Sequence, residues 1–221
     1  MNEEDNFLNF QKKFFQDNHP GMTVGNHQQH NADPEYWNIL LKDITKNPSF
    51  WENKIALDFG CGCGRNIKNL LDLANFKRVD GCDISKLNAQ YSKSFVDIHH
   101  NGKTHTWEVN GKDLHPAEDL TYDFVMSHIV FQHIPNYSIR FSILKDIYRV
   151  LKPGGIASLH FLDLSPDATY FENKYEFGNC VVENPEYLIN DFKSIGFNDI
   201  TCEVGTCMFI NKNNYYIRGI K

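Results

Sequence analysis

The apolar positions of this chain change period from segment to segment, and the two periods alternate. Around Phe7–Phe15 apolar residues recur at helical spacing, predicting a short helix in an otherwise polar stretch over residues 1–33. Asp33-Pro34 opens a second helix, with Trp37, Leu40, Leu41 and Ile44 on one face and Pro34 in the first turn, where its missing N–H is tolerated. Lys54–Phe59 predicts a short buried strand, and Gly64–Ala74 returns to helical period through Ile67, Leu70, Leu71 and Ala74. Lys77–Asp83 is the next strand, and Ser85 caps a helix running to about Val96.

Further along, Thr104–Val109 alternates as a strand and Tyr122–Ile129 is a buried strand. Ile139–Leu151 turns Ile143, Leu144, Ile147 and Leu151 inward, and Pro153-Gly154-Gly155 breaks that helix before a strand over Ile156–Leu162. Pro185 and Glu186 start a last helix that Gly196 ends, and two strands near Asn198–Val204 and Met208–Gly219 follow. Alternating strands and helices predict an α/β fold with a mostly parallel sheet and helices on both faces.

With 221 residues, 41% hydrophobic and 23% charged, the composition fits one globular domain. A net charge of −6 and the lack of a Lys/Arg cluster argue against a dedicated nucleic-acid binder. The acidic opening MNEEDNFLNFQKKFF lacks the layout of a signal peptide, and no apolar run approaches the roughly 18 residues of a membrane helix. Six cysteines without a framework spacing suggest reduced thiols. The expectation is a cytoplasmic protein, monomer or homodimer, with neither membrane nor nucleic acid as partner.

The candidate chemistry lies in "LDFGCGCGRN", where Gly60, Gly62 and Gly64 follow the first buried strand. In an open α/β sheet, ligands sit beyond the carboxyl ends of the strands at the switch point. Glycines there let a ligand rest against backbone, and the N–H groups opening the next helix can receive a carboxylate. The spacing is G-x-G-x-G rather than the dinucleotide G-x-G-x-x-G, and no P-loop Lys-Ser/Thr pair follows. Asp58 stands two positions before the first glycine, where it either holds a ligand ammonium or caps the turn. Asp83, ending the second strand 25 residues later, is placed to accept both hydroxyls of a ribose. A site of this kind suits an adenosine carrying a zwitterionic amino-acid tail, the description of S-adenosylmethionine.

Through "ALDFGCGCGRN", "VDGCDIS", "VNGKDL", "YDFVMSHIVFQHI" and "RVLKPGGIASLHF" the sequence resembles the class I, seven-strand S-adenosylmethionine-dependent methyltransferases, over roughly residues 35–162. The resemblance implies a single-domain Rossmann-like doubly wound sheet of about seven strands with an antiparallel last strand. It implies a methyltransferase domain over residues 37–221, an N-terminal helical lid over 1–36 and a substrate-side insertion over 163–184. It places Asp58 and Gly60 on the methionine amino group, Gly62 and Gly64 along the tail, Asp83 on the ribose and Ile84 on the adenine. Gly111, Lys112 and Asp113 match the segment at the adenine edge, and Ser127 and His128 flank the sulfonium. Arg65 either meets the carboxylate or points outward, and Cys61, with Cys63, is a small residue of the tight loop rather than a metal ligand, since nothing nearby completes a site.

Acceptor motifs inform mainly by absence. The place of an Asn/Asp-Pro-Pro-aromatic segment reads Ser127-His128-Ile129-Val130, paired catalytic glutamates are missing, and Asp163 is a single carboxylate after the fifth strand. No metal is expected, and a small-molecule or glycan acceptor remains, with O- or N-methylation. His133 and His128 are the candidate general bases, because an imidazole titrates near neutrality; alternatively His133 caps or packs under its loop. Tyr36, Trp37, Gln132 and Tyr170 are candidate acceptor contacts, with Trp37 also readable as core. The rival readings are a non-catalytic S-adenosylmethionine-binding module, or partner subunit, and a polyamine synthase, which needs an acidic segment absent here.

Overall fold

Ser85, Asn136 and Asn184 each place a side-chain oxygen on the N-terminus of a helix, accepting from the backbone N–H of Asn88, Ile139 and Glu186 at 3.2, 3.1 and 3.0 Å. These caps satisfy donors that a helix end leaves over, so they mark where the chain changes from strand or loop to helix. The computed structural model describes residues 2–17, 31–162, 167–176, 178–207 and 212–221.

In chain order the elements are α1 (Glu3–Asp17), a π-helical turn (Tyr36–Leu40), α2 (Lys42–Lys46), β1 (Ile55–Phe59), α3 (Arg65–Leu73), β2 (Arg78–Asp83), α4 (Lys86–His99) and β3 (Thr106–Glu108). They continue with β4 (Tyr122–Ser127), a short helical turn (Phe131–His133), α5 (Tyr137–Val150), β5 (Leu151–Leu162), α6 (Pro185–Ile195), β6 (Asn198–Cys207) and β7 (Lys212–Ile220). The sheet order is β3-β2-β1-β4-β5-β7-β6. Neighbours are parallel except β7, which is antiparallel to both β5 and β6. This is the Rossmann-like seven-strand α/β sheet with one antiparallel strand.

Alternate strand residues fill the two faces. Ala56, Phe124 and Met126 join Ile67, Leu70, Leu71 and Trp51 on one side. Leu57, Phe59 and Val125 join Ile143, Leu144 and Ile147 on the other. Each fully buried Leu, Ile or Phe stabilises the fold by about 1.5–3 kcal/mol. Asp123 holds the lower ends of β1 and β4 together, accepting from Ile55 N at 2.9 Å and from Lys152 Nζ at 2.8 Å.

Two expectations change. Pro153-Gly154-Gly155 does not interrupt the strand: β5 starts at Leu151, with a register irregularity between Tyr122 and Phe124 on its neighbour. Gly154 N and Lys221 N bond to Lys221 O and Gly155 O, so the end of the chain pairs with this stretch and keeps it extended. The helix expected after Asp33-Pro34 is divided, because Leu41 N reaches back five residues to Tyr36 O at 3.0 Å, a π-turn that adds a residue before α2. Asp163 and positions 208–211 of the expected last strand lie outside the described residues, as do 18–30 of the expected lid and 164–166 and 177 of the expected insertion.

Helix α1 docks by Phe7 and Leu8, both buried. Lys12 pairs with Glu108, and Lys112 Nζ with Glu4 Oε1 at 2.5 Å. Solvent-exposed pairs of this sort contribute little, so the apolar anchors hold the helix.

Candidate active site

Strand order reverses between β1 and β4, which opens a crevice at their carboxyl ends. A cavity sits there, floored by the loop after β1, walled by Asp83, Ile84, Val109 and Gly111 on one side and by His128–Val130 on the other. Gln11 and Phe15 of α1, with His133 and Ile134, complete the wall.

The glycine loop is built as much for the protein as for a ligand. Gly60, Gly62 and Gly64 have φ of +73°, +50° and +88°, a region that side chains disfavour. A Cβ on Gly60 would lie 2.3 Å from Val130 Cγ2 and one on Gly64 2.7 Å from Ser92 Oγ, whereas at Gly62 nothing lies within 4 Å. Backbone N–H groups of Gly60 and Cys61 bond to Cys82 O at 2.8 and 3.0 Å, and Gly64 N bonds to Cys61 O at 2.9 Å. Gly62 N donates to Asp83 Oδ2 at 2.9 Å. The amides of Gly60, Cys61, Gly62 and Gly64 are thus engaged inside the protein rather than turned to a ligand.

The groups left over are side chains. Asp58 is fully buried beneath the loop; Asn66 Nδ2 donates to its Oδ1 at 3.1 Å, and Oδ2 has no partner among the described residues. Burial pushes this carboxyl up to about 7, opposed by the Asn66 hydrogen bond and the Arg65 charge. Arg65 lines the cavity; its Nη2 lies 2.8 Å from His128 Nδ1 and its guanidinium 5.0 Å over the Tyr36 ring, while the buried Nη1 has no partner among the described residues. A buried acceptor oxygen lacking a cation and a buried guanidinium nitrogen lacking an anion, both at the glycine loop, match the ammonium and carboxylate of an amino acid. Asp83 lines the cavity and also ties its loop together, accepting from Ser85 N at 2.8 Å and Asn88 Nδ2 at 3.2 Å.

Because Arg65 can only donate, His128 Nδ1 is an acceptor and the proton of the neutral ring sits on Nε2. The next residue, Ile129, has φ +61°, strained for a β-branched residue and costing on the order of 1–3 kcal/mol. Ile129 N donates to His160 Nδ1 at 3.2 Å, and His160 Nε2 donates to Asn214 Oδ1 at 2.9 Å. Burial lowers His160 to about 4, so it stays neutral and can accept from the strained backbone. The Asn214 amide and the Tyr216 hydroxyl both donate to Glu35 Oε2, at 3.0 and 3.1 Å. Sequence reasoning missed this support, and its only local signal was a histidine in an otherwise apolar strand.

Of the expected site residues, Gly60, Cys61, Gly62, Arg65, Asp83, Ile84, Gly111, His128 and His133 line the cavity. The others stand behind or away from its wall. Gly64 packs on Ser92, and the Ser127 hydroxyl donates to Phe59 O at 2.9 Å, joining β4 to β1. Lys112 is turned to Glu4, and Asp113 accepts from Asn110 Nδ2 at 2.8 Å in an exposed turn. Tyr36 is fully buried, donating to Asn66 Oδ1 at 3.0 Å, and Trp37 donates to Asn31 O at 2.8 Å. Gln132 is buried behind His133, and Tyr170 is in the core, donating to Asp191 Oδ2 at 2.7 Å. Residues not foreseen at the wall are Gln11 and Phe15, brought there by the docking of α1. Among the described residues no cluster of His, Cys, Asp and Glu has the makings of a metal site, and no helix is long and apolar enough to cross a membrane.

Comparison with known proteins adds the following. A family model described as a methyltransferase domain matches residues 57–159. A sterol 4-C-methyltransferase of Caenorhabditis elegans is 32% identical over 108 residues, covering 47% of this chain and 30% of that protein. Phosphoethanolamine N-methyltransferase 2 of Haemonchus contortus, solved with S-adenosyl-L-methionine, superposes with a TM-score of 0.64 at 18% identity, over 84% of this chain and 52% of its own. An S-adenosylmethionine-dependent methyltransferase of Aquifex aeolicus superposes with a TM-score of 0.55 at 16% identity, over 87% of this chain and 95% of its own. The chain thus spans about half the length of the Haemonchus protein and less than a third of the Caenorhabditis one. The two superpositions, at low identity, speak for the fold.

Proposed function

We propose, from the match of residues 57–159 to a methyltransferase-domain family model, that the chain is a class I, S-adenosylmethionine-dependent enzyme transferring a methyl group to an oxygen or nitrogen of a small-molecule or glycan acceptor. The observation that carries this reading is the pair of unanswered buried groups at the glycine loop, Asp58 Oδ2 and Arg65 Nη1. They suit the amino and carboxylate groups of the methionyl tail, while Asp83 suits the ribose and Ile84 the adenine face. Gly62 leaves open space where the backbone meets the ligand.

When bound, S-adenosylmethionine supplies a methyl group already activated by its sulfonium. The chain's own part is to align the acceptor and, where the acceptor carries a proton, to take it. His133 is assigned that role: it lines the cavity near Phe15 and Gln11, and burial holds its pKa below the ordinary histidine value, so it is unprotonated at neutral pH. The N-terminal segment is assigned as a lid, of which α1 brings Gln11 and Phe15 to the cavity wall. The acceptors named for the relatives, a sterol and phosphoethanolamine, are both small molecules, which supports that end of the range. The test is transfer of isotope from S-adenosylmethionine labelled in its methyl group to panels of hydroxylated, aminated and glycan acceptors. A labelled product supports the enzyme; cofactor binding with no product from any panel favours a binding module instead.

A further inference from the structure

His133 Nδ1 lies 2.9 Å from Asn179 Oδ1. The Asn179 side chain is oriented by Asp167, whose Oδ2 accepts from Asn179 N at 3.0 Å and faces Asn179 Nδ2 at 3.5 Å. With its amide nitrogen toward a carboxylate, Asn179 presents its carbonyl oxygen, an acceptor only, to the imidazole. The partner nitrogen of His133 must then carry the proton. Gln132 Nε2, a donor, lies 3.2 Å from His133 Nε2, at the long end of the hydrogen-bond range, and agrees with a lone pair at that nitrogen. His128 is held in the opposite tautomer by Arg65, so the two histidines at this rim are not interchangeable.

We propose that Asn179 is a positioning residue that locks His133, a residue of the cavity wall, as the Nδ1–H tautomer and so reserves its Nε2 as the proton acceptor for the methyl acceptor. The assignment deepens the methyltransferase reading and rests on it for the word acceptor, while the tautomer itself does not. Asn179 belongs to the stretch after β5, which is anchored across the rim by Cys180 N on Gln132 O at 2.9 Å and closed on itself by Ala168 N on Asn179 O at 3.1 Å. The same stretch therefore places the orienting amide and fixes the residue next to the base. An Asp167–Asn179–His133 series of this kind follows the general logic of a base oriented by a second group that is itself oriented.

The test uses the full chain with ¹⁵N-labelled histidine, without ligand, so that an error about the cofactor leaves the result interpretable. Long-range proton–nitrogen spectra distinguish the two neutral tautomers, and the His133→Gln variant identifies the His133 signals. Wild type is expected to show a protonated Nδ1 and an unprotonated Nε2. In Asn179→Ala the signals move to the Nε2–H form or to a mixture, and in Asn179→Asp, which keeps an oxygen at the same place, the Nδ1–H form is retained. Should Asn179→Ala not fold, the wild-type and Asn179→Asp spectra decide. An Nε2–H tautomer in wild type, or an Nδ1–H form indifferent to Asn179→Ala, overturns the proposal. Once an acceptor is known, Asn179→Ala is expected to lower kcat on the order of a hundredfold, with cofactor Kd within about twofold.

Discussion

Arg65 Nη2 lies 2.8 Å from His128 Nδ1, so the first residue of α3 reaches across the switch point to the end of β4. The guanidinium also stacks on Tyr36 and keeps Nη1 unanswered by any described residue. A planar guanidinium fixes its donors toward an imidazole and a carboxylate together, a fork that the single nitrogen of an ammonium does not reproduce. Arg65→Lys is therefore expected to weaken S-adenosylhomocysteine binding by about 10–100-fold, the loss of one charge-assisted bond, in calorimetric titration.

Asp58 couples binding to protons. Its carboxyl is raised to about 7 by burial, and a ligand ammonium beside Oδ2 favours the charged form. Binding near pH 6 should release a proton, and affinity should rise with pH and level off above about 7.5. Titration in buffers of different ionisation enthalpy reads the release directly, and Asp58→Asn should abolish it. The stability effect has the opposite sense. The folded value lies above the ordinary aspartate value of 3.8, so this group's stabilising contribution is present below that pH and is lost as pH rises through about 7. Asp58→Asn without ligand should thus unfold at higher temperature than wild type above pH 7 and lose that advantage in acid.

Gly60 and Gly62 separate folding from binding. Gly60→Ala forces a Cβ to within 2.3 Å of Val130 Cγ2 at φ +73°, and is expected to lower stability by about 1–3 kcal/mol in urea unfolding. Adding Val130→Ala should recover the part due to the clash and leave the backbone strain. At Gly62, where a Cβ meets nothing within 4 Å, Ala should cost only the left-handed strain of about 1–2 kcal/mol while reducing ligand affinity.

His133→Ala is expected to lower transfer by about 10²–10⁴-fold, the range of general-base catalysis, with S-adenosylhomocysteine affinity little changed. Equal turnover would remove His133 from the mechanism.

Much of this was legible locally. Ser85 as a cap, Pro185 opening α6 and Gly196 closing it at φ +115° are each set by the chemistry of one or two residues. Gly60, Asp83 and His133 were likewise found at the crevice because motif spacing carries them there. What could not be read depends on partners distant in sequence. Gln11 meets His133 O at 2.5 Å across 122 positions, and Asn179 meets the His133 ring across 46. Nothing in the local period of α1 or of the stretch after β5 encodes either contact. The π-turn at Tyr36–Leu40 was hidden because Leu40, Leu41 and Ile44 satisfy an uninterrupted helix equally well.

The docking of α1 gives a test of the lid. Leu8 is buried, with its Cδ2 2.8 Å from where a Cβ on Gly111 would lie, so Leu8→Asp should release the helix rather than unfold the sheet. Trypsin should then cut after Lys12 or Lys13 in the variant and spare wild type, with ligand affinity falling about tenfold as Gln11 and Phe15 leave the wall.

The most direct test of the central claim is calorimetric titration of the full chain with S-adenosylmethionine, S-adenosylhomocysteine and NAD, repeated on Asp83→Ala. The account predicts that both sulfur ligands bind and NAD does not. It also predicts that Asp83→Ala costs on the order of 2–4 kcal/mol, through the loss of two charge-assisted bonds to the ribose. No binding of either sulfur ligand, or undiminished affinity in Asp83→Ala, would contradict it.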